Sequence, residues 1–256
     1  MGNFASWFAS VCLPTCLHGP RAAVIPHTLE RITTYSFKLA WWKIATLVLL
    51  AYTFVGGLFF DVPRLNILEE SIRNLHFHVP LWFGMLALFG YSTYQSFQVL
   101  KGKPNALDAD RKATAAVEVG LLYGVLGLVT GMVWANYTWG EPWSNDPKQN
   151  ASAYCLLLYF TYMLLRQALP QGQKRARISA VYNIFALAIA IPLIFVLPRL
   201  TDSLHPGNGG NPGFNSYDLD SRLRLVFYPA VFAWIMLGFW ILNLRYRVAK
   251  LTINNV

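Results

Sequence analysis

Polar and apolar positions along this chain separate into long blocks. Six stretches, 44–60, 79–100, 119–140, 149–165, 178–198 and 225–244, contain no Asp, Glu, Lys or Arg. They run to 17, 22, 22, 17, 21 and 20 residues, together 119 of 256. A helix of about 20 apolar residues crosses the hydrocarbon core of a bilayer, within a working range of roughly 17–25. The pattern predicts an all-α, polytopic membrane protein with six transmembrane helices.

The borders of the blocks agree. Lys38, Trp41, Trp42 and Lys43 make a basic-aromatic edge of the kind that anchors a helix end at headgroup level. The first span ends near Asp61 and Pro63, and a short polar segment runs from Arg64 to Asn74. Leu75-His-Phe-His-Val-Pro80 opens the second span, with proline in a first helical turn, where its missing N–H costs little. The third span, about Thr114 to Asn136, carries Glu118 near its inner border. Glu118 is expected to snorkel or to pair with Arg111 or Lys112; the alternative is an ion or proton pathway. Pro192 is expected to kink the fifth span, as membrane helices tolerate. No repeat of 20–50 residues and no inverted pair of broken spans is visible.

Composition supports the membrane assignment. Apolar residues make up 55%, charged residues 13% and aromatics 15%, with a mean hydropathy of +0.38; a soluble domain carries about twice that charge. Lys and Arg number 21 against 12 acids, but their distribution excludes a nucleic-acid surface, since no basic run is interleaved with a stacking platform. With the N-terminus inside, the inner segments 1–43, 101–113, 166–177 and 245–256 hold 15 of the 21 basic residues and three acids, and the outer segments six and eight. That positive-inside bias predicts cytoplasmic termini. The three cysteines give no disulfide framework. Cys155 reads as a packing residue within the fourth span. Cys12, Cys16 and His18 lack the further ligands a zinc site needs. Residues 1–37 are expected to be an N-terminal extension, either a disordered tail or upstream sequence not needed for function, before a membrane domain over 38–250.

The inner loops hold no phosphate-cradling glycine motif and no Ser-His-Asp order, so chemistry is expected outside. The second outer loop, 134–150, puts Trp134, Tyr137, Trp139 and Trp143 within ten residues. Two readings stand: an interfacial aromatic belt, or a flat platform that stacks on a large planar ligand. His76, His78 and His205 fall at the same outer face in this topology. Two imidazoles on different loops beside such a platform suit an axial clamp on a planar iron complex, which means haem.

Trp139-Gly140-x-x-Trp143-x-x-Asp146, continued by Pro147-Lys148, with His-Val-Pro at 78–80 and Leu-His-x-Gly at 204–207, resembles the tryptophan-rich-motif, haem-handling family of cytochrome c assembly proteins. Six spans point to its small branch, the C component of the bacterial cytochrome c maturation system, also called haem exporter protein C. The resemblance covers roughly 38–250. It implies His78 and His205 as the axial ligands of haem iron, with His76 a neighbour, and Trp139, Gly140, Trp143 and Asp146 in the haem-binding loop. Pro142 and Asn145 stand where the family carries further aromatics, which thins the stacking surface. Asp146 is acceptor-only when ionised and is expected to position the loop through backbone N–H groups or Lys148.

The resemblance implies a haem b carrier in the bacterial cytoplasmic (inner) membrane, crossing it several times and contacting lipid. Haem would be bound at the outer face and delivered to a periplasmic haem chaperone for cytochrome c biogenesis. This is binding and transport rather than enzymatic turnover. ATP-binding transporter subunits of the same system would supply nucleotide chemistry that this chain lacks. The alternatives are a haem lyase-type cytochrome c synthase component, whose members are usually much longer, and a membrane transporter, for which Glu118 is the only candidate ionisable residue.

Overall fold

A computed structural model describes residues 40–63, 69–102, 104–197, 200–205 and 219–254; the extension over 1–37 lies outside them. Each charge-free block lies largely within one helix: α1 (Trp41–Phe59), α2 (His78–Leu100), α3 (Ala106–Trp139), α4 (Pro147–Ala168), α5 (Gln173–Ile191) and α6 (Ser221–Asn254). A 3-10 helix, Glu69–His76, leads into α2. No strand occurs among the described residues. The described residues are all-helical in their regular structure, as the block pattern predicts.

Four helices, α1, α3, α6 and α5 with its continuation to Val196, are long and apolar enough to cross a membrane. The other two, with 23 and 22 residues, are long enough but more polar. Much of the polarity of α2 is turned inward: Ser92, Thr93, Gln95 and Ser96 are buried. Membrane-helix interfaces favour small and hydroxyl-bearing residues, because lipid gives no hydrophobic drive for helices to associate. Asn183 on α5 donates to Ser92 Oγ at 2.6 Å and to Ser96 Oγ at 2.8 Å, tying α5 to α2.

α2 is the central helix, packed on α3, α5 and α6, while α4 lies against α3 and α5, and α1 against α6. Close approach of α2 and α3 depends on Gly120, where a Cβ would sit 2.5 Å from the Phe89 ring. That ring stacks on Tyr159 of α4, centroids 3.5 Å apart and 12° from parallel, and both are fully buried with Met85, Leu88 and Cys155. Cys155 packs as expected.

At the end of the bundle away from Trp139, ion pairs join the helices. Arg166 of α4 forms a two-pronged pair with Asp110 of α3, at 2.6 and 2.8 Å, with both side chains buried. Glu118 pairs with Arg245 of α6 at 2.6 Å, whereas Lys112 pairs with Asp108. The sequence expectation of an ion pair for Glu118 holds, but the partner differs. Arg245 comes from a helix remote in sequence, and nearest-turn spacing could not identify it.

Pro192 ends α5. With no N–H to give and a ring crowding the carbonyl four residues back, it passes the chain into one turn of π-helix, Pro192–Val196. At the C-terminal end of α1, Arg73 donates to Phe60 O at 2.6 Å and Gly57 O at 3.2 Å, two carbonyls without a helical partner.

Candidate functional site

The Trp139 end of the bundle is built around one carboxylate. Gly140, at φ 84°, stops α3 in the left-handed conformation that glycine adopts without steric cost. Gln149 then ties the loop down, accepting from Ser144 N at 3.1 Å and donating to Pro142 O at 3.3 Å. Asn145 is also left-handed, at φ 56°, which Asn tolerates far better than a bulky aromatic. That is a physical reason for Asn145 where the resembled family carries an aromatic. Its conformation turns the next residue, Asp146, into the N-cap of α4, accepting from Lys148 N–H at 2.9 Å with Pro147 following.

The same carboxylate reaches residues 203–205, beyond α5. Asp146 Oδ2 accepts from Ser203 Oγ at 2.8 Å and Leu204 N–H at 2.7 Å, and Oδ1 lies 2.9 Å from His205 Nδ1. Burial alone would raise the Asp146 carboxyl. The His205 contact, Ser203 and Leu204 outweigh it and hold it well below the usual carboxylate range. An ionised Asp146 has no hydrogen to give, so Nδ1 of His205 is the donor, and in the neutral imidazole the lone pair is on Nε2. A carboxylate behind the distal nitrogen fixes the tautomer and raises the basicity of an imidazole ligand. The sequence expectation that Asp146 uses backbone N–H groups is met at Lys148 and Leu204; its hold on His205 was not foreseen.

Indoles wall His205. The Trp139 ring meets it edge-on at 4.8 Å and Trp134 at 6.1 Å, with the two indoles 5.3 Å apart. Trp134 is pinned by its N–H to Ser71 Oγ at 3.3 Å. Trp143 is half-buried, and among the described residues its ring meets none of these. The structure therefore brings Trp139, Asp146 and His205 together, with Gly140 as the turn that allows it, and adds Trp134.

His78 begins α2. Its Nδ1 lies 3.1 Å from Thr130 Oγ1 and its Nε2 accepts from Trp82 Nε1 at 3.3 Å. The ring lies on Gly131 of α3, where a Cβ would stand 2.7 Å from Cε1. It is near enough to His205 for a charge there to be felt. His76 is different: it is 1% exposed, and neither ring nitrogen has a hydrogen-bond partner. The Leu223 carbonyl faces it outside hydrogen-bond geometry. Burial, with the positive charge of Arg73, pushes its pKa down despite that carbonyl. His76 faces α1 and α6 rather than Trp139, with its Cβ 3.4 Å from the position a side chain on Gly57 would take.

The donor set fits haem. Two imidazoles, one with an open Nε2, and edge-exposed indoles are what an axially ligated macrocycle requires. Among the described residues no cluster of three or more His, Cys, Asp or Glu suited to a bare ion occurs. Thr130, Trp82 and Ser203 escaped the sequence reading, whereas Trp134 was among the aromatics it grouped. Trp82 was within reach of it, because residues i and i+4 share a helix face; Thr130 was not, since it comes from another helix.

Comparison with known proteins points the same way. Residues 24–254 match the family described as heme exporter protein C. A heme exporter protein C from Bradyrhizobium diazoefficiens is 24% identical over 222 residues, 85% of this chain and 81% of the relative. Cytochrome c biogenesis protein CcsA from Synechococcus sp. strain RCC307 is 32% identical over 102 residues, 39% of this chain and 33% of the relative. The corresponding Prochlorococcus marinus protein, strain NATL1A, is 33% identical over 85 residues, so the match spans about a quarter of its length, 27%.

Proposed function

The chain belongs to the heme exporter protein C family and is a multi-pass membrane protein of cytochrome c maturation, and on that premise we propose that it binds haem b between His205 and His78 at the outer face of the bacterial inner membrane and hands it to a periplasmic haem chaperone. The observation that carries the reading is Asp146, which joins the second outer loop to His205 and sets that imidazole with Nε2 open beside Trp139. Asp146 makes His205 a stronger donor without becoming a ligand. Trp139 and Trp134 bury part of the macrocycle. One edge is left toward the aqueous side, where a chaperone can take it. Nucleotide-driven release of the loaded chaperone belongs to ATP-binding transporter subunits of the same system.

Glu118, the ionisable residue a transporter reading would use, pairs with Arg245 at 2.6 Å. The test is an optical spectrum of the purified full-length protein supplied with haem. A low-spin Soret band with resolved α and β bands is the expected result. Absence of any haem spectrum, with the protein folded, would overturn the reading.

A further inference from the structure

The two proposed ligands are not equally available. Among the described residues, His205 is hydrogen-bonded at Nδ1 and not at Nε2. His78 is engaged at both nitrogens. The Thr130 hydroxyl donates its one hydrogen within its own helix, to Leu126 O at 2.8 Å or Gly127 O at 3.0 Å. Its oxygen can then only accept from His78 Nδ1–H. That fixes the tautomer with the lone pair on Nε2, and the Trp82 indole N–H occupies that lone pair at 3.3 Å. Trp82 stands one turn along α2 from His78, its ring edge-on at 6.1 Å. It is wedged against Gly127 of α3, where a Cβ would lie 2.9 Å from the indole.

We propose that Trp82 is a positioning residue that holds the His78 ligand in reserve, so that haem is taken first by His205 and then by His78 as the indole lets go. The proposal rests on the haem-binding reading above. The exchange replaces one N–H···N hydrogen bond by one nitrogen–iron bond. His78 enters as the neutral imidazole, so no proton or electron moves. The ordering makes the second ligand reversible in small steps, because the indole can recapture Nε2 when haem is passed on.

The full-length protein in lipid nanodiscs, mixed rapidly with haem, should show a five-coordinate spectrum first and a six-coordinate spectrum second. Trp82→Phe keeps the ring and removes the donor; it should speed the second phase roughly fivefold, the scale of one net hydrogen bond, and leave the first phase alone. Thr130→Val, which frees the tautomer, should slow the second phase. In haem-free protein carrying 15N-labelled indoles, the resonance that Trp82→Phe removes should shift in His78→Ala. A purely structural Trp82 would move neither the second phase nor that resonance. Haem uptake with an unchanged second phase in both Trp82→Phe and Thr130→Val overturns the proposal alone. A wild type that takes up no haem overturns the haem reading and the proposal with it.

Discussion

Asp146 is where a single side chain serves two elements, and its substitution separates the two roles. Asn caps a helix about as well as Asp, so Asp146→Asn should keep α4 intact. The amide has one acceptor in place of two, and its NH2 would face the donors Ser203 and Leu204. Haem affinity should fall about 10- to 100-fold, as for a lost partner behind a ligating His, with helical circular dichroism unchanged; an affinity within twofold of wild type would count against the clamp. The pH sign follows from the lowered carboxyl. The stabilisation is complete above the unfolded carboxylate value of about 3.9 and is lost only as pH falls through the lower folded value. The stability gap between wild type and Asp146→Asn should therefore be flat through neutral pH and close in acid. His76 acts in the same direction, but in a window nearer neutral pH. Its folded pKa is depressed, so the unfolded chain binds the proton more readily, and stability drops as pH falls below about 6.5. His76→Leu should remove that part of the acid sensitivity and raise stability by about 1 kcal/mol, since an unsatisfied buried ring is replaced. The haem spectrum should not change. Loss of a six-coordinate spectrum in His76→Leu would make His76 the ligand, a distinction the spacing His76-Phe77-His78 could not make.

At the scale of elements, charge-free block length was enough to place six helices, because a charge inside a buried or lipid-facing turn is costly and so marks the borders. The same signal could not say that α2 and α4 would be the polar members. That depends on which neighbours cover them, and Asn183 reaching Ser92 and Ser96 is a contact across more than eighty positions, 91 and 87. In the loop after α3, the Trp-Gly-x-x-Trp-x-x-Asp spacing pointed to a site, whereas the reason for Asn145 is visible only in its left-handed backbone. The α2–α3 seam should be sensitive in a way an aromatic belt is not. Gly131→Ala would drive a methyl group into the His78 ring; it should abolish six-coordinate haem while the helices remain. Trp139→Ala should weaken haem binding by about 1–3 kcal/mol, and Trp143→Ala by less, since Trp143 stands apart from the His205 cage. Trp41→Ala, 79% exposed on α1, should cost nothing. Equal losses at Trp41 and Trp139 in a haem titration would return the loop to an ordinary belt.

For the whole molecule, the placement of charge and of the proposed haem site predicts an orientation that can be tested. Asp110–Arg166 and Glu118–Arg245 lie at one end of the bundle, and Trp139, Asp146 and His205 at the other. Breaking the buried pair should be severe: Arg166→Met leaves a buried carboxylate unpaired and should cost about 3–5 kcal/mol, while the double change with Asp110→Leu should recover most of it. The basic bias of 15 residues to six predicts the ion-pair end in the cytoplasm and the proposed haem site outside. Each connection between consecutive helices should then alternate sides. Reporter fusions after Asn105 and Lys174 should read cytoplasmic, and fusions after Asn145 and Asn211 periplasmic. These four points bracket α3, α4 and α5, and a fifth fusion after Asn74, expected to read periplasmic, brackets α2 with the one after Asn105. If either polar helix fails to cross, the fusions at its two ends report the same side. An inverted pattern throughout would put His205 in the cytoplasm, where no periplasmic chaperone could take haem from it.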